Sequence, residues 1–161
     1  MRGSGWLRAK LWNPVLELLK QGMAPQKLAL CLALGAAIGC FPLIGTTTTL
    51  CALLALALGL NLAAMQAVNY AVYPLQILLL IPLMRLGEIL CRVRAEALTA
   101  QGIVAAFHAG FLPALHTLGW ALAHAVLGWL VVAPVAGAAI YLLALPPLRR
   151  AMRHKTDEVS Q

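Results

Sequence analysis

Two long stretches, Leu28 to Met84 and Ala97 to Leu148, contain no Asp, Glu, Lys or Arg and are dense in Leu, Ala, Ile and Val. About 20 apolar residues suffice to cross a hydrocarbon core as a helix, so each stretch holds more than one helical piece. The pattern predicts an all-α, polytopic membrane chain whose helices are broken by proline. Ahead of the first stretch, Trp6, Leu7, Leu11, Trp12, Val15, Leu16, Leu18 and Leu19 alternate with Arg8, Lys10, Glu17 and Lys20. That is the pattern of an amphipathic helix lying in the headgroup layer, restarted near Pro14.

Residues 28–60 then read as a broken hairpin. Leu28 to Phe41 and Thr46 to Leu60 are each too short to span a core of about 30 Å. Pro42 and Gly45 separate them, so a re-entrant hairpin competes with two short full crossings. Residues 62–84 read as one helix kinked at Pro74. Residues 85–101 read as a charged interfacial helix, with Arg85, Glu88, Arg92 and Glu96 at spacings that line opposite charges along one face. Residues 111–148 read as a transmembrane hairpin turning at Val131 to Pro134. In domain terms, 1–23 is the interfacial helix, 24–148 a single membrane domain and 149–161 a basic cytoplasmic tail. Gly35 and Gly39 form a small-xxx-small face for close helix contact.

Composition agrees, since 62% of residues are hydrophobic and 11% charged, whereas a soluble domain carries about a quarter charged. The net charge of +7 sits at the edges of the apolar blocks: Arg2 to Lys27, Arg85 to Arg94, and Arg149 to Lys155. Positive segments favour the cytoplasm, which predicts an even number of net crossings between them and both termini cytoplasmic. Two net crossings with a re-entrant piece, or two re-entrant hairpins broken at Pro42 and Pro74, satisfy this for residues 28–84. A plain three-helix reading, ranked second, places Arg85, Arg92 and Arg94 outside. No basic surface with exposed aromatics suggests nucleic acid. Cys31, Cys40, Cys51 and Cys91 lack CxxC spacing and read as buried small hydrophobes. Ala37 to Cys40 superficially matches a lipoprotein cleavage box, but the apolar run before it starts too far from Met1, so the N-terminus is expected to be retained.

The run Ala24 to Leu30, then Gly35, Ile38, Gly39, Phe41, Pro42, Leu43, Ile44, Gly45 and Thr46 to Thr49, resembles an uncharacterised bacterial membrane family, the domain of unknown function 2062 family. The likeness rests on Lys27, Ile38, Gly39, Pro42, Gly45, Asn61, Asn69 and Pro74 and covers roughly 24–148. In the family the Asn is commonly followed directly by Pro, whereas four residues separate Asn69 from Pro74 here. The resemblance implies an integral inner-membrane protein. Some relatives are joined to glycosyltransferases, which implies lipid-linked envelope chemistry.

Several polar groups fall at membrane depth. Gln66, Asn69, Tyr73 and Gln76, spaced three, four and three, form one helical stripe that either fixes interhelical packing or lines a polar path. Gly45, Thr46, Thr47, Thr48 and Thr49 begin a helix after a break, where free N–H groups suit an anion and equally serve ordinary capping. Lys27 and Arg85 could supply charge at the mouth of such a site. His108, His116 and His124 rotate about 80° apart along a helix and have no acidic or paired-Cys partners, so no metal is expected.

No nucleophile–base pair or carboxylate pair appears, so neither an enzyme nor a cofactor is expected. A proton-coupled transporter would need a buried carboxylate that the pattern does not supply. The leading expectation is a protein that binds or translocates an anionic lipid or lipid-linked envelope precursor. The headgroup would sit at Gly45 to Thr48 and the path along Gln66, Asn69, Tyr73 and Gln76. The alternative is a non-catalytic accessory or scaffold subunit for an envelope enzyme such as a glycosyltransferase. Membrane lipids, an envelope enzyme and a second copy of the chain are the expected partners.

Overall fold

The computed structural model describes residues 23–93, 108 and 110–159, with side chains through 151 except at 113 and 114. The interfacial helix expected over 1–23 and the distal part of the charged helix, 94–101, fall outside the described residues apart from Met23. All regular structure among the described residues is helical: α1 (Pro25–Gly39), α2 (Thr47–Ala57), α3 (Leu62–Ala71), α4 (Tyr73–Cys91) and α5 (Phe111–Val159).

Local chemistry sets the boundaries. Pro25 opens α1, where its missing N–H is one the helix would leave free anyway. Pro42 stops its continuation, and Gly45 takes a left-handed turn at φ 92° that a Cβ would resist. At the end of α2, Gly59 is left-handed at φ 60°, and the Leu60 N–H closes back on the Ala55 carbonyl at 2.8 Å, satisfying an end-of-helix acceptor. Asn61 then caps α3, its side-chain oxygen accepting from the Ala64 N–H at 2.8 Å.

Three expected elements are corrected. Pro74 does not kink a single 62–84 helix; α3 ends at Ala71, with Val72 as its C-cap, and Pro74 lies in the first turn of α4, the position where proline is tolerated. The new helix continues past Met84 to Cys91, so residues 85–91 belong to it and not to a separate charged helix. The 111–148 hairpin is absent, because α5 is one continuous 49-residue helix through Val131 to Pro134. Val131, Val132 and Ala133 provide no turn chemistry. Pro134 deprives only the Leu130 carbonyl of its helical donor, whereas a reversal among apolar residues would strand several backbone groups.

α1 and α2 form an antiparallel hairpin, with Lys27 reaching Gly59 at the far end from the break. Ile38, Cys51, Ala55 and Met65 close its core. α3 retraces α1 at very short range. A Cβ on Gly35 would lie 2.8 Å from the Met65 carbonyl, and one on Gly39 would strike Val72. The small-xxx-small face is therefore used within the chain. At Val72 the backbone does not reverse; α3 and α4 share little contact, and α4 runs on along α5. Pro74 is thus not the tip of a second re-entrant hairpin.

α5 joins the two halves. Toward its middle Gly128 lies against the Leu83 backbone and Gly87 against the His124 backbone, with Met84, Ala121 and Ala125 forming a small core. Further on α5 runs antiparallel to α1, and Leu148 packs with Leu28, Ala29, Cys31 and Ala64. His124 and Leu148 are separated by roughly 36 Å of helix. Arg85 and Glu88, level with His124, therefore stand far from Lys27, Arg149 and Arg150.

Candidate functional site

The break between α1 and α2 is the most elaborately supported irregular backbone in the described residues. At its start the carbonyls of Ala37 and Phe41 are left without helical donors. Each finds a side chain from another helix: the Trp129 indole N–H donates to the Ala37 oxygen at 2.8 Å, and the Gln76 amide donates to the Phe41 oxygen at 2.6 Å. The Trp129 ring also meets the Phe41 ring edge to face, with centroids 4.8 Å apart. Thr46 closes the turn, its hydroxyl donating to the Leu43 carbonyl at 2.9 Å. Consequently α2 carries no side-chain cap hydrogen bond. Thr47 is buried, while Gly45 and Thr48 are exposed.

Three of the four stripe residues serve packing, Gln66 and Asn69 as a bonded pair and Gln76 separately. Gln66 donates to the Thr48 carbonyl at 2.8 Å, and Asn69, 3% exposed, donates to the Gln66 side-chain oxygen at 3.1 Å. Gln76, 2% exposed, supports the break as described, yet its Oε1 is buried without a hydrogen-bond partner. Tyr73 is 42% exposed and does not join them. The stripe is thus interrupted where α3 gives way to α4.

The two cations expected at the mouth are elsewhere. The Lys27 ammonium donates to the Gly59 carbonyl at 3.3 Å, at the opposite end of α1, roughly 22 Å of helix from the break. Arg85 pairs with Glu88 at 3.0 Å along α4. Neither lies beside Gly45 to Thr48. His116 and His124 bracket an exposed Trp120, whose indole donates to His116 Nε2 at 3.0 Å while the His124 Nδ1–H donates to the Trp120 carbonyl at 2.8 Å.

A groove of about 460 Å³ runs between α1 and α5, and none of the headgroup, path or mouth residues expected from the sequence lines it. Leu34, Ile38, Leu54, Trp129, Pro134 and Tyr141 give its character, which is almost wholly apolar. Its Trp129 end abuts the break through the Phe41 contact. It arises because Ala33, Ala37 and Gly137 keep the facing helix surfaces thin. Composition hides such a feature, since it depends on which face of a 49-residue helix turns toward α1.

A family described as an uncharacterised protein conserved in bacteria (DUF2062) matches residues 9–157. The chain belongs to the DUF2062 family. No curated protein and no solved structure matches it. The residues that carry the DUF2062 likeness are the ones that build the break and its return. Gly39 admits α3, Pro42 ends α1, Gly45 supplies the left-handed turn, Asn61 caps α3 and Lys27 ties the hairpin shut at Gly59. For this DUF2062 chain, then, the recognisable motif is the scaffold of the hairpin.

Proposed function

We propose that this DUF2062 chain is a multi-pass protein of the bacterial inner membrane that binds an anionic lipid or lipid-linked envelope precursor, with a lipid tail in the groove between α1 and α5. The carrying observation is that groove: apolar, open along its side, and ending against a helix break. From Trp129 to Tyr141 it follows about 18 Å of helix, a length that suits an extended acyl or prenyl chain. The uncapped start of α2, with Gly45 and Thr48 exposed, offers N–H groups to a phosphate at the same end.

The membrane reading has separate support. α4 and the Leu115–Ala151 part of α5 are long and apolar enough to cross a bilayer. Only 11% of the apolar window in α5 is buried, unlike the core helix of a soluble protein. Its two charged levels, roughly 36 Å apart, bracket a hydrocarbon core of about 30 Å. We therefore place Lys27, Arg149 and Arg150 at one face, and Arg85 and Arg92 at the other. α3 with α4 makes one crossing, α5 makes the second, and the α1–α2 hairpin enters from the Lys27 face without reaching the opposite side. Both termini then share the cytoplasmic face. This differs from the expectation that all three basic segments share one face and agrees with placing Arg85 and Arg92 outside.

Native mass spectrometry of protein extracted gently from its own membrane tests the lipid reading. A selective polyprenyl-phosphate or glycolipid adduct is expected, and Ala138→Trp, which fills the groove from an exposed position, should abolish it. Adduct retention unchanged by that variant would sink the groove assignment, and a reproducible protein partner with no selective lipid would favour the accessory-subunit alternative.

A further inference from the structure

A second pocket, of about 370 Å³, sits where the apolar part of α5 meets its basic end. Leu142, Leu145 and Pro146 form its walls and Arg149 and Arg150 its rim. Residues 142, 145, 146 and 149 follow helical spacing, so one face passes from hydrocarbon to guanidinium within two turns, about 11 Å. Leu148, on another side of the same turns, is buried against Leu28 and fixes which way that face looks. Both arginines are exposed.

The backbone contributes as well. Pro146 and Pro147 have no N–H, so the carbonyls of Leu142 and Leu143 lose their usual helical donors and remain available to a hydroxyl. Adjacent guanidinium groups repel one another, and a phosphate relieves this by accepting paired hydrogen bonds from their planar forks. The combination of apolar wall, paired cations and free acceptors matches a phospholipid and poorly matches a soluble anion.

We infer that this pocket binds one anionic phospholipid, with Arg149 and Arg150 holding the phosphate and Leu142, Leu145 and Pro146 receiving the first part of an acyl chain. The inference rests on the membrane reading above and is independent of the α1–α5 groove.

The test is native mass spectrometry of the full chain in mixed micelles containing phosphatidylglycerol or phosphatidylcholine. The wild type should retain phosphatidylglycerol selectively, and Arg149→Gln with Arg150→Gln should cut that retention by about tenfold, the effect of losing a charge-assisted contact of ordinary strength. Leu142→Trp, at an exposed wall position, fills the pocket while leaving both cations and should do the same; it decides the matter if the double variant does not fold. Arg92→Gln, a cation at the other charged level, and Ala138→Trp in the groove should leave phosphatidylglycerol bound. Equal retention of both lipids, no loss in the double variant or in Leu142→Trp, or an equal loss in Arg92→Gln overturns the inference. So does displacement by excess inorganic phosphate, which would make the site a simple anion site. Loss in Ala138→Trp of a polyprenyl-phosphate adduct alone bears on the groove and leaves this pocket standing.

Discussion

Trp129 and Ala37 lie 92 residues apart in sequence, yet the indole N–H of the first meets the carbonyl of the second at 2.8 Å. That bond closes an otherwise open backbone acceptor at the end of α1 and pins the middle of α5 to the helix break. In apolar surroundings an unmet carbonyl is worth about 1–3 kcal/mol. Trp129→Phe, which keeps an aromatic ring against Phe41 and removes the donor, should lower stability by an amount in that range. Thermal unfolding in detergent measures it, and a midpoint equal to wild type would show that the bond contributes nothing.

Gln76 makes the comparable bond to Phe41 but leaves its own Oε1 buried and unpartnered. Gln76→Leu removes one satisfied donor and one unsatisfied acceptor together, so the two effects largely offset. The expected loss is below about 1 kcal/mol, smaller than for Trp129→Phe. Equal or greater loss would indicate that a bound group meets Oε1.

Gly87 and Gly128 each lie against the other helix's backbone, at His124 and Leu83 respectively. Alanine at either position forces α4 and α5 apart and should cost about 1–3 kcal/mol. Gly119→Ala, also in α5 but with open space around it, should be neutral or stabilising by up to about 1 kcal/mol through helix propensity. If all three variants behave alike, the close approach is not what holds α4 to α5.

Cys91 is exposed at the end of α4, near the Arg85 level. A membrane-impermeant thiol reagent should label it from one side of oriented vesicles, and should label Arg150→Cys, in a Cys91→Ala background, from the other. Labelling of both from the same side would reject the two-crossing arrangement.

The pattern of apolar runs, prolines and caps was enough to read an all-α chain, the reversal at Pro42 and Gly45, the punctuation at Asn61 and the close-packing face at Gly35 and Gly39. These are local decisions, made by a residue and its near neighbours. Pro74 and Pro134 were harder, because proline is compatible with a kink, a helix start and an uninterrupted helix, and tertiary contacts choose among them. Pro74 begins α4, whereas Pro134 rides inside α5. The candidate site was legible only in part. Gln66, Asn69 and Gln76 do face protein, but Tyr73 does not, since the helix phase resets at Val72. Lys27 and Thr46 both border the hairpin yet sit at its opposite ends, while Trp129 gains its partners Ala37 and Phe41 from an element that no local spacing relates to it.

One consequence of the length of α5 concerns synthesis. It is the helix that touches both α1 and α4, and Leu148 meets Leu28 across almost the whole chain. Those contacts cannot form until translation is nearly complete, so the α1–α2–α3 cluster and α4 form without the brace that later unites them. Assembly must therefore finish after the last turns of α5 leave the ribosome. Shortening the chain before Leu148 would then yield helices that form but never acquire a common register.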